Sequence, residues 1–310
     1  MKEIAILIPC LNEEKTIEKV ILDCKKNLPN TKIYVFDNNS TDDTAEIAKK
    51  AGAIVCFEKR KGKGYVMRKM FEIINADCYL LLDGDDSADL KDAKKMVNFV
   101  IENDVDMVIG DRLSGGYFNE NKRKFHNFGN SLIRYIINKI FKSNIQDILS
   151  GYRAFSRRFV KTFPAISQNF EIETEMTIHA IFADMKIENI TTKYKDRPKG
   201  SVSKLNTFKD GFKILKTILI LFKNYKPLKF FSCISAFLVV ATAIIFIPTI
   251  WIPYVKTKLV KKIPTLICCG FMFTTAIISF FSGLILDTIV QNQKKNLRLK
   301  IINETTKNEK

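Results

Sequence analysis

"YLLLDGDDSADL", Tyr79 to Leu90, is the stretch on which the reading of this chain turns. Residues of strand character run straight into three aspartates, Asp83, Asp85 and Asp86. Asp and Gly are ordinary turn residues, and an Asp or Ser can cap a helix such as one starting near Asp89. Neither purpose calls for three carboxylates within four positions. Such a cluster of like charges is tolerable beside a cation, and a hard cation with oxygen ligands suits it. The stretch alone leaves turn, cap and metal site open, so the flanking sequence must decide.

Outward from it, residues 1–205 alternate short apolar runs with amphipathic ones. "IAILIPC" reads as a strand and "NEEKTIEKVILDCKKNL" as a helix capped by Asn12. "KIYVFD" is a second strand, "STDDTAEIAKKAG" a helix ending at Gly52, and "AIVCF" a third strand; "CYLLLD" and "DMVIG" follow further on. Strands alternating with helices predict an α/β fold with a mostly parallel sheet covered on both faces. Ligands of such sheets bind beyond the carboxyl ends of the strands, which gathers Asp37, the 83–86 cluster and Asp111 along one edge. The basic loop "KRKGKGYVMRK" lacks the spacing of a phosphate-wrapping Walker A loop. Lys63 and Arg68 within it are candidates to meet a diphosphate, with a solvated basic loop as the plainer alternative.

The 310 residues carry a formal net charge of +17 and are 46% apolar. Nucleic acid or an anionic membrane surface would both suit that charge. The apolar residues choose between them. Residues 230–253, "FFSCISAFLVVATAIIFIPTIWIP", and 263–286, "IPTLICCGFMFTTAIISFFSGLIL", contain no charged residue. Each as a helix would be roughly 36 Å long, enough for a bilayer core of about 30 Å. A multi-pass membrane protein with a large soluble part is expected, and a nucleic-acid partner is not. Nine lysines and arginines flank the two spans on their outer sides and four lie in the link between them. That bias places both long ends in the cytoplasm. "MKEIAILIPC" is too soon interrupted by Asn12 and Glu13 to read as a secretory signal. The seven cysteines form no C-x-x-C, a usage typical of a reducing compartment.

Several segments together resemble the family-2 glycosyltransferases, which have a GT-A fold. "IPCLNEEKTI" is similar to that family's opening strand–helix junction, "VFDNNSTDDT" to its base-binding turn and "LDGDD" to its D-x-D metal motif. "RKFHNFG", "DILSGYRAF", "EIETEMTIHA" and "DRPKGSVSKLNTFKDG" resemble the polyprenyl-phosphate branch, which includes dolichyl-phosphate mannose synthase and bactoprenol glucosyltransferase. The resemblance implies that Pro9, Asn12 and Glu13 line a nucleoside pocket, with Asp37 accepting from the base. It implies that Asp83 and Asp85 hold Mg²⁺ or Mn²⁺ on the donor diphosphate. Ser87 stands where many mannose synthases have a further glutamine ligand, and Asp86 is the alternative. Arg112, Arg123 and Asn127 match positions near the lipid phosphate. Arg197 and Lys204 match the segment that the resemblance places near the phosphates. The implied layout is a GT-A domain over 1–205, an amphipathic juxtamembrane helix over 206–228, a two-helix anchor over 229–287 and a polar, disordered tail over 288–310.

The residue types suit that chemistry. A departing diphosphate is stabilised by a divalent ion, and one or two carboxylates suffice to hold Mg²⁺ against phosphate oxygens. A sugar hydroxyl acceptor needs a general base, which many relatives supply from a Glu-Asp pair. This chain contains no Glu-Asp dipeptide. A phosphate monoester, with a second pKa of about 6, is already ionised at neutral pH and needs none. Glu171, Glu173 and Glu175 remain candidates, Glu173 foremost, although their two-residue spacing also fits one face of a strand. The Q-x-x-R-W motif of processive synthases is excluded because the single tryptophan is Trp251. Phe208, Phe212, Leu215, Leu219 and Phe222 recur at helical spacing among lysines, as in a helix lying at a membrane interface. The expectation is transfer of one sugar from a nucleotide sugar, a UDP-sugar in preference to GDP-mannose, to polyprenyl phosphate at the cytoplasmic face. The lipid-linked sugar would serve cell-surface glycan modification, with a homo-oligomer and a downstream flippase as possible partners. Transfer to a hydroxyl of a glycolipid or lipid-linked glycan is the alternative.

Overall fold

The computed structural model describes residues 2–117, 124–193 and 207–308. The chain divides into two units, one formed by residues 1–218 with 297–310 and the other by 219–296.

The first unit is built on strands β1 (Ile4–Cys10), β2 (Lys32–Asp37), β3 (Ile54–Phe57), β4 (Cys78–Leu81), β5 (Met107–Asp111), β6 (Arg153–Ser156) and β7 (Ile187–Thr191). Their order in the single sheet is β3-β2-β1-β4-β6-β5-β7. Every pairing is parallel except those of β6, which runs antiparallel to both β4 and β5. The helices are α1 (Ile17–Asn27), α2 (Thr44–Lys50), α3 (Lys63–Ile73), α4 (Ala93–Glu102), α5 (Lys124–Phe141), α6 (Arg157–Thr162) and α7 (Ile172–Phe182). One core joins α1 and α4 to the sheet through Ile6, Ile8, Val20, Ile21, Leu80, Met96, Val97 and Val108. Elsewhere Phe71 of α3, Phe155 of β6, and Phe159 and Phe163 of the α6 region pack edge-on or stacked.

The strand order reverses between β1 and its neighbours β2 and β4, so a crevice opens beyond the carboxyl ends of these strands. β1 ends at Cys10 beside Asp37, the last residue of β2. β4 ends two residues before Asp83, and β5 ends on Asp111. The expected edge is therefore formed.

Several local expectations are corrected. Asn12 does not cap α1, which begins at Ile17. Asn12 adopts a left-handed φ of 53° and its side chain accepts from the Thr41 N–H at 2.7 Å, tying the end of β1 to the turn after β2. The glutamates of "FEIETE" lie on no strand: Ile172–Phe182 is a helix whose residues 172–180 are all buried. Burial on every side removes the 3.6-residue stripe that marks a surface helix, which left the two-residue spacing to mislead. Asp89 does cap, accepting from the Lys91 N–H at 3.3 Å at the short 3₁₀ turn that leads into α4.

Helix α8 (Thr207–Tyr225) carries two apolar stripes. Ile214, Ile218 and Leu221 are buried, whereas Phe212, Leu215 and Leu219 are exposed, Phe212 to 72%. Three residues of the stripe singled out in the sequence are thus turned outward, while Phe222 is half-buried and packs edge-on against Phe230.

In the second unit, α9 (Pro227–Phe246) opens with proline at its first position, where no backbone N–H is needed. A π-helical turn (Ile247–Trp251) and α10 (Ile252–Thr257) continue it. Helix α11 (Ile263–Asn308) follows. Both apolar segments, Pro227–Thr257 and Ile263–Asn303, are long enough to cross a membrane, and only 6% and 17% of their most apolar windows are buried. Core helices would show the reverse. The two helices approach closely where a Cβ on Gly283 would lie 2.9 Å from Phe231 Cβ, and Ser279 Oγ donates to the Phe231 carbonyl at 3.2 Å. The expectation of a disordered tail after residue 288 is corrected, since α11 runs on to Asn308. Polar composition hid this helix, but the tail lacks the Gly and Pro that would end it.

Candidate active site

The edge of the sheet is organised by short local hydrogen bonds around each acidic motif. Asp37 is 3% exposed; its Oδ2 accepts from the Ser40 N–H at 3.1 Å, while its buried Oδ1 has no partner. An orphaned carboxylate oxygen in a crevice is costly unless a ligand donor meets it. Asn12 donates its backbone N–H to Ser40 Oγ at 2.9 Å, and Glu13 donates to Thr44 Oγ1 at 2.8 Å. Pro9 is half-buried in β1 opposite Phe36. The four predicted nucleoside-pocket residues are thus brought together at one turn.

Asp85 is 3% exposed, and its Oδ1 accepts from the Ser87 N–H at 3.1 Å and Ser87 Oγ at 2.6 Å. Ser87 therefore orients this carboxylate. Asp86 sits at a left-handed φ of 58° and its side chain pairs with Lys19. Asp83 is paired too: Lys63 Nζ lies 2.6 Å from Asp83 Oδ1 and 2.8 Å from Glu173 Oε1. Burial alone would lower the Lys63 pKa, but the two carboxylates outweigh it and hold the ammonium above its ordinary range. Gly151 makes this packing possible, because a Cβ there would fall 2.4 Å from Asp83 Oδ2.

A small surface cleft adjoins these groups and is lined by Asp83, Ser87, Arg112, Gly151, Thr192 and Lys193 among others. Arg112 is held by Asp147, whose two oxygens accept from Nε at 2.8 Å and Nη2 at 3.2 Å. A bidentate pair of this kind fixes the plane of the guanidinium. Asp147 is 1% exposed.

Not every candidate reaches this cleft in the way the sequence reading implied. Arg68 directs its guanidinium to the carbonyls of Ala165 and Ile166, at 2.8 and 3.4 Å. It braces that loop. Glu175 accepts from the N–H groups of Ile166 and Ser167, so it braces the same loop. Arg123, Arg197, Lys204 and the Asn127 side chain lie outside the described residues.

Sequence reasoning missed three residues. Asn38 pins the basic loop, donating to the Glu58 and Arg60 carbonyls and accepting from the Gly62 N–H at 2.8 Å. Asp147 and Arg153 both lie in or beside "DILSGYRAF", yet no spacing rule marks a partner 35 residues away for the former.

Among the described residues no three His, Cys, Asp or Glu side chains form a protein-only metal site. Two carboxylates, one oriented by a serine and the other paired with the Lys63 ammonium, fit an ion that takes its remaining ligands from a diphosphate and water.

Comparison with known proteins agrees with this geometry. Residues 5–163 match the family model described as Glycosyl transferase family 2. Glycosyltransferase AglJ of Haloferax volcanii is 32% identical over 300 residues, covering 95% of this chain and 96% of that protein. A dolichyl-phosphate hexose transferase of the same organism is 24% identical over 217 residues, covering 70% of this chain and 92% of that one. Among solved structures, glucosyl-3-phosphoglycerate synthase of Mycobacterium tuberculosis, with Mn²⁺, UDP and glucosyl-3-phosphoglycerate, superposes with a TM-score of 0.57 at 20% identity. That match covers 71% of this chain and 80% of the synthase, and it bears out the GT-A-like sheet. Matched by the family over half its length, and by a relative along nearly all of it, the chain belongs to glycosyl transferase family 2.

Proposed function

We propose that this glycosyltransferase moves a single sugar from a nucleotide sugar to polyprenyl phosphate at the cytoplasmic face of a membrane, for later use in a cell-surface glycan. A UDP-sugar is the favoured donor and GDP-mannose the alternative. The observation that favours a phosphate acceptor is the engagement of two of the three candidate glutamates; the third, Glu171, keeps a buried Oε2 without a partner and is the base that a hydroxyl acceptor would use. Glu173, the foremost candidate base, is ion-paired with Lys63, and both oxygens of Glu175 accept backbone N–H groups. A hydroxyl acceptor would need such a base; a phosphate monoester needs positioning cations, and the cleft offers Arg112 and Lys193.

In this reading Asp37 Oδ1 accepts from the base, and Asn12, Glu13 and Pro9 wall the nucleoside. Asp83 and Asp85 would hold Mg²⁺ or Mn²⁺. Bound there, the ion acts as a Lewis acid on the diphosphate leaving group. Lys63 adds a cation on the same side and keeps Glu173 from acting as a base. Arg112, fixed by Asp147, receives the acceptor phosphate, with Arg123, Asn127, Arg197 and Lys204 as further candidates. The exposed Phe212, Leu215 and Leu219 beside Lys213, Lys216 and Lys223 suit a helix at the bilayer surface. The excess of positive charge outside the spans favours a cytoplasmic catalytic unit. The dolichyl-phosphate hexose transferase relative supports the lipid phosphate.

The test compares undecaprenyl phosphate with undecaprenol and with a glycolipid acceptor, for the protein and its Glu173→Gln variant. The phosphate alone should accept sugar, and Glu173→Gln should lower transfer by about tenfold or less, as for loss of a supporting contact. Transfer to a hydroxyl, abolished in Glu173→Gln, would overturn the acceptor assignment.

A further inference from the structure

Among the described residues Arg153 is the largest side chain with no solvent exposure. A buried guanidinium is expensive to desolvate and persists where its donors and its charge are matched. It lies on the antiparallel strand β6, opposite Leu81 at the end of β4 and Ile109 of β5. It therefore sits two residues before Asp83 on one side and three before Arg112 on the other. Its Nε donates to the Ser150 carbonyl at 2.8 Å and its Nη2 to the Ile148 carbonyl at 2.6 Å. Its Nη1 donates to Thr177 Oγ1 at 2.9 Å and lies 3.3 Å from Met107 Sδ. The Thr177 hydroxyl passes the link on by donating to the Glu173 carbonyl at 3.0 Å.

Each end of this fork leads to a cleft group. The carbonyls of Ile148 and Ser150 flank the turn between Asp147, which clamps Arg112, and Gly151, which lets Asp83 in. Thr177 leads to the first turn of α7, where Glu173 pairs with Lys63. Burial lowers the Arg153 pKa to about 10, against the opposing fields of Glu173 and Asp147, so the group stays charged at neutral pH. Three buried or half-buried carboxylates (Asp83, Asp147 and Glu173) thus face three cations (Lys63, Arg112 and Arg153).

We infer that Arg153 is a positioning residue for sugar transfer. Its fork fixes the 147–151 turn against α7 and so sets Arg112 and the Lys63–Asp83 pair at their working separation. The inference rests on the proposed reading only for the identity of the acceptor. The planar fork is the working part, because three donor directions are used at once. Lysine would keep the charge but satisfy fewer of the three acceptors.

The experiment uses the full chain in detergent and compares Arg153→Lys and Thr177→Val with the parent. It measures thermal midpoint, affinity for Mn²⁺–UDP and Mn²⁺–GDP, and kcat and KM for transfer to undecaprenyl phosphate. For Arg153→Lys, kcat should fall by about 10- to 100-fold, and affinity for the preferred nucleotide by about tenfold, in protein that still melts cooperatively. Thr177→Val cuts only the link to α7 and should shift both quantities in the same direction, by about threefold. Folded variants with the parent's affinity and kcat would overturn the inference, as would losses that merely track the folded fraction. If Arg153→Lys does not fold, Thr177→Val decides alone. A parent that fails to use lipid phosphate would refute the acceptor reading, and nucleotide affinity would then decide this one.

Discussion

The two sides of the crevice are built differently. On the β1–β2–β4 side two functional carboxylates are held by their own turns, Asp37 by Ser40, three residues on, and Asp85 by Ser87, two residues on, while Asp83 is held by Lys63. On the β5–β6–β7 side the working groups are held across the chain. Lys63 meets Glu173 from 110 residues away, and Arg112 meets Asp147 from 35. The first side joins local turns on parallel strands by hydrogen bonds between neighbouring loops. The second depends on one antiparallel strand, β6, and on ion pairs that exist once the domain has closed. Changes on the first side should therefore act locally, and changes on the second should spread across the cleft.

The largest expected effect tests the first side. Asp85→Ala should reduce transfer by about 100- to 1,000-fold, the scale for losing a charge-stabilising group, with little change in thermal midpoint. A residual rate near that of the parent would remove Asp85 from the chemistry. Gly151→Ala tests the second side. Its Cβ would fall 2.4 Å from Asp83 Oδ2 and 3.2 Å from Lys63 Nζ, so either the turn or Asp83 must move. Transfer should drop by about tenfold and apparent Mn²⁺ affinity should weaken with it; an unaltered metal titration would mean that the turn is slack. Asn12→Gly removes the acceptor of the Thr41 N–H without straining the left-handed backbone at that position. It should raise the donor KM by a few fold and leave kcat near the parent value, in keeping with loss of about 1 kcal/mol of support. A fall in kcat alone would contradict that placing.

The last effect lies away from the chemistry and touches stability rather than transfer. Burial pushes the His179 pKa from 6.5 down to about 4, and its ring packs edge-on against the stacked rings of Phe159 and Phe163. Neutral in the fold, this residue takes up a proton on unfolding below about pH 6.5. Stability is therefore full above that pH and declines as pH falls toward about 4, by roughly 3 kcal/mol in all. His179→Leu should flatten that part of the curve of thermal midpoint against pH. An unchanged slope would assign the acid sensitivity to other groups.

The same contrast explains what could be read in advance. β1 and β2 are bounded where "IAILIPC" and "KIYVFD" begin and end, because apolar runs ending at Asn or Asp announce themselves locally. The D-x-D turn and its place at the sheet edge follow from the same signals. The reversal of β6, the burial of Arg153 and the clamp on Arg112 are properties of closed packing, and a lone Arg in "GYRAF" carries no periodic mark. Helix α7 was obscured because all of its faces are buried. Arg68 illustrates the converse: its charge suggests a phosphate, and its two carbonyl partners across the chain carry no local mark.

The central claim, metal-dependent transfer to a lipid phosphate by the Asp83–Asp85 edge, is tested most directly with radiolabelled UDP- and GDP-sugars. Membranes carrying the protein or its Asp85→Ala variant would be supplied with undecaprenyl phosphate and either Mn²⁺ or EDTA. The account predicts a labelled lipid from one donor with the parent protein and Mn²⁺, lost with EDTA and lost in Asp85→Ala. A labelled lipid that persists in EDTA or in the variant would contradict it, as would donor turnover that never labels the phosphate lipid.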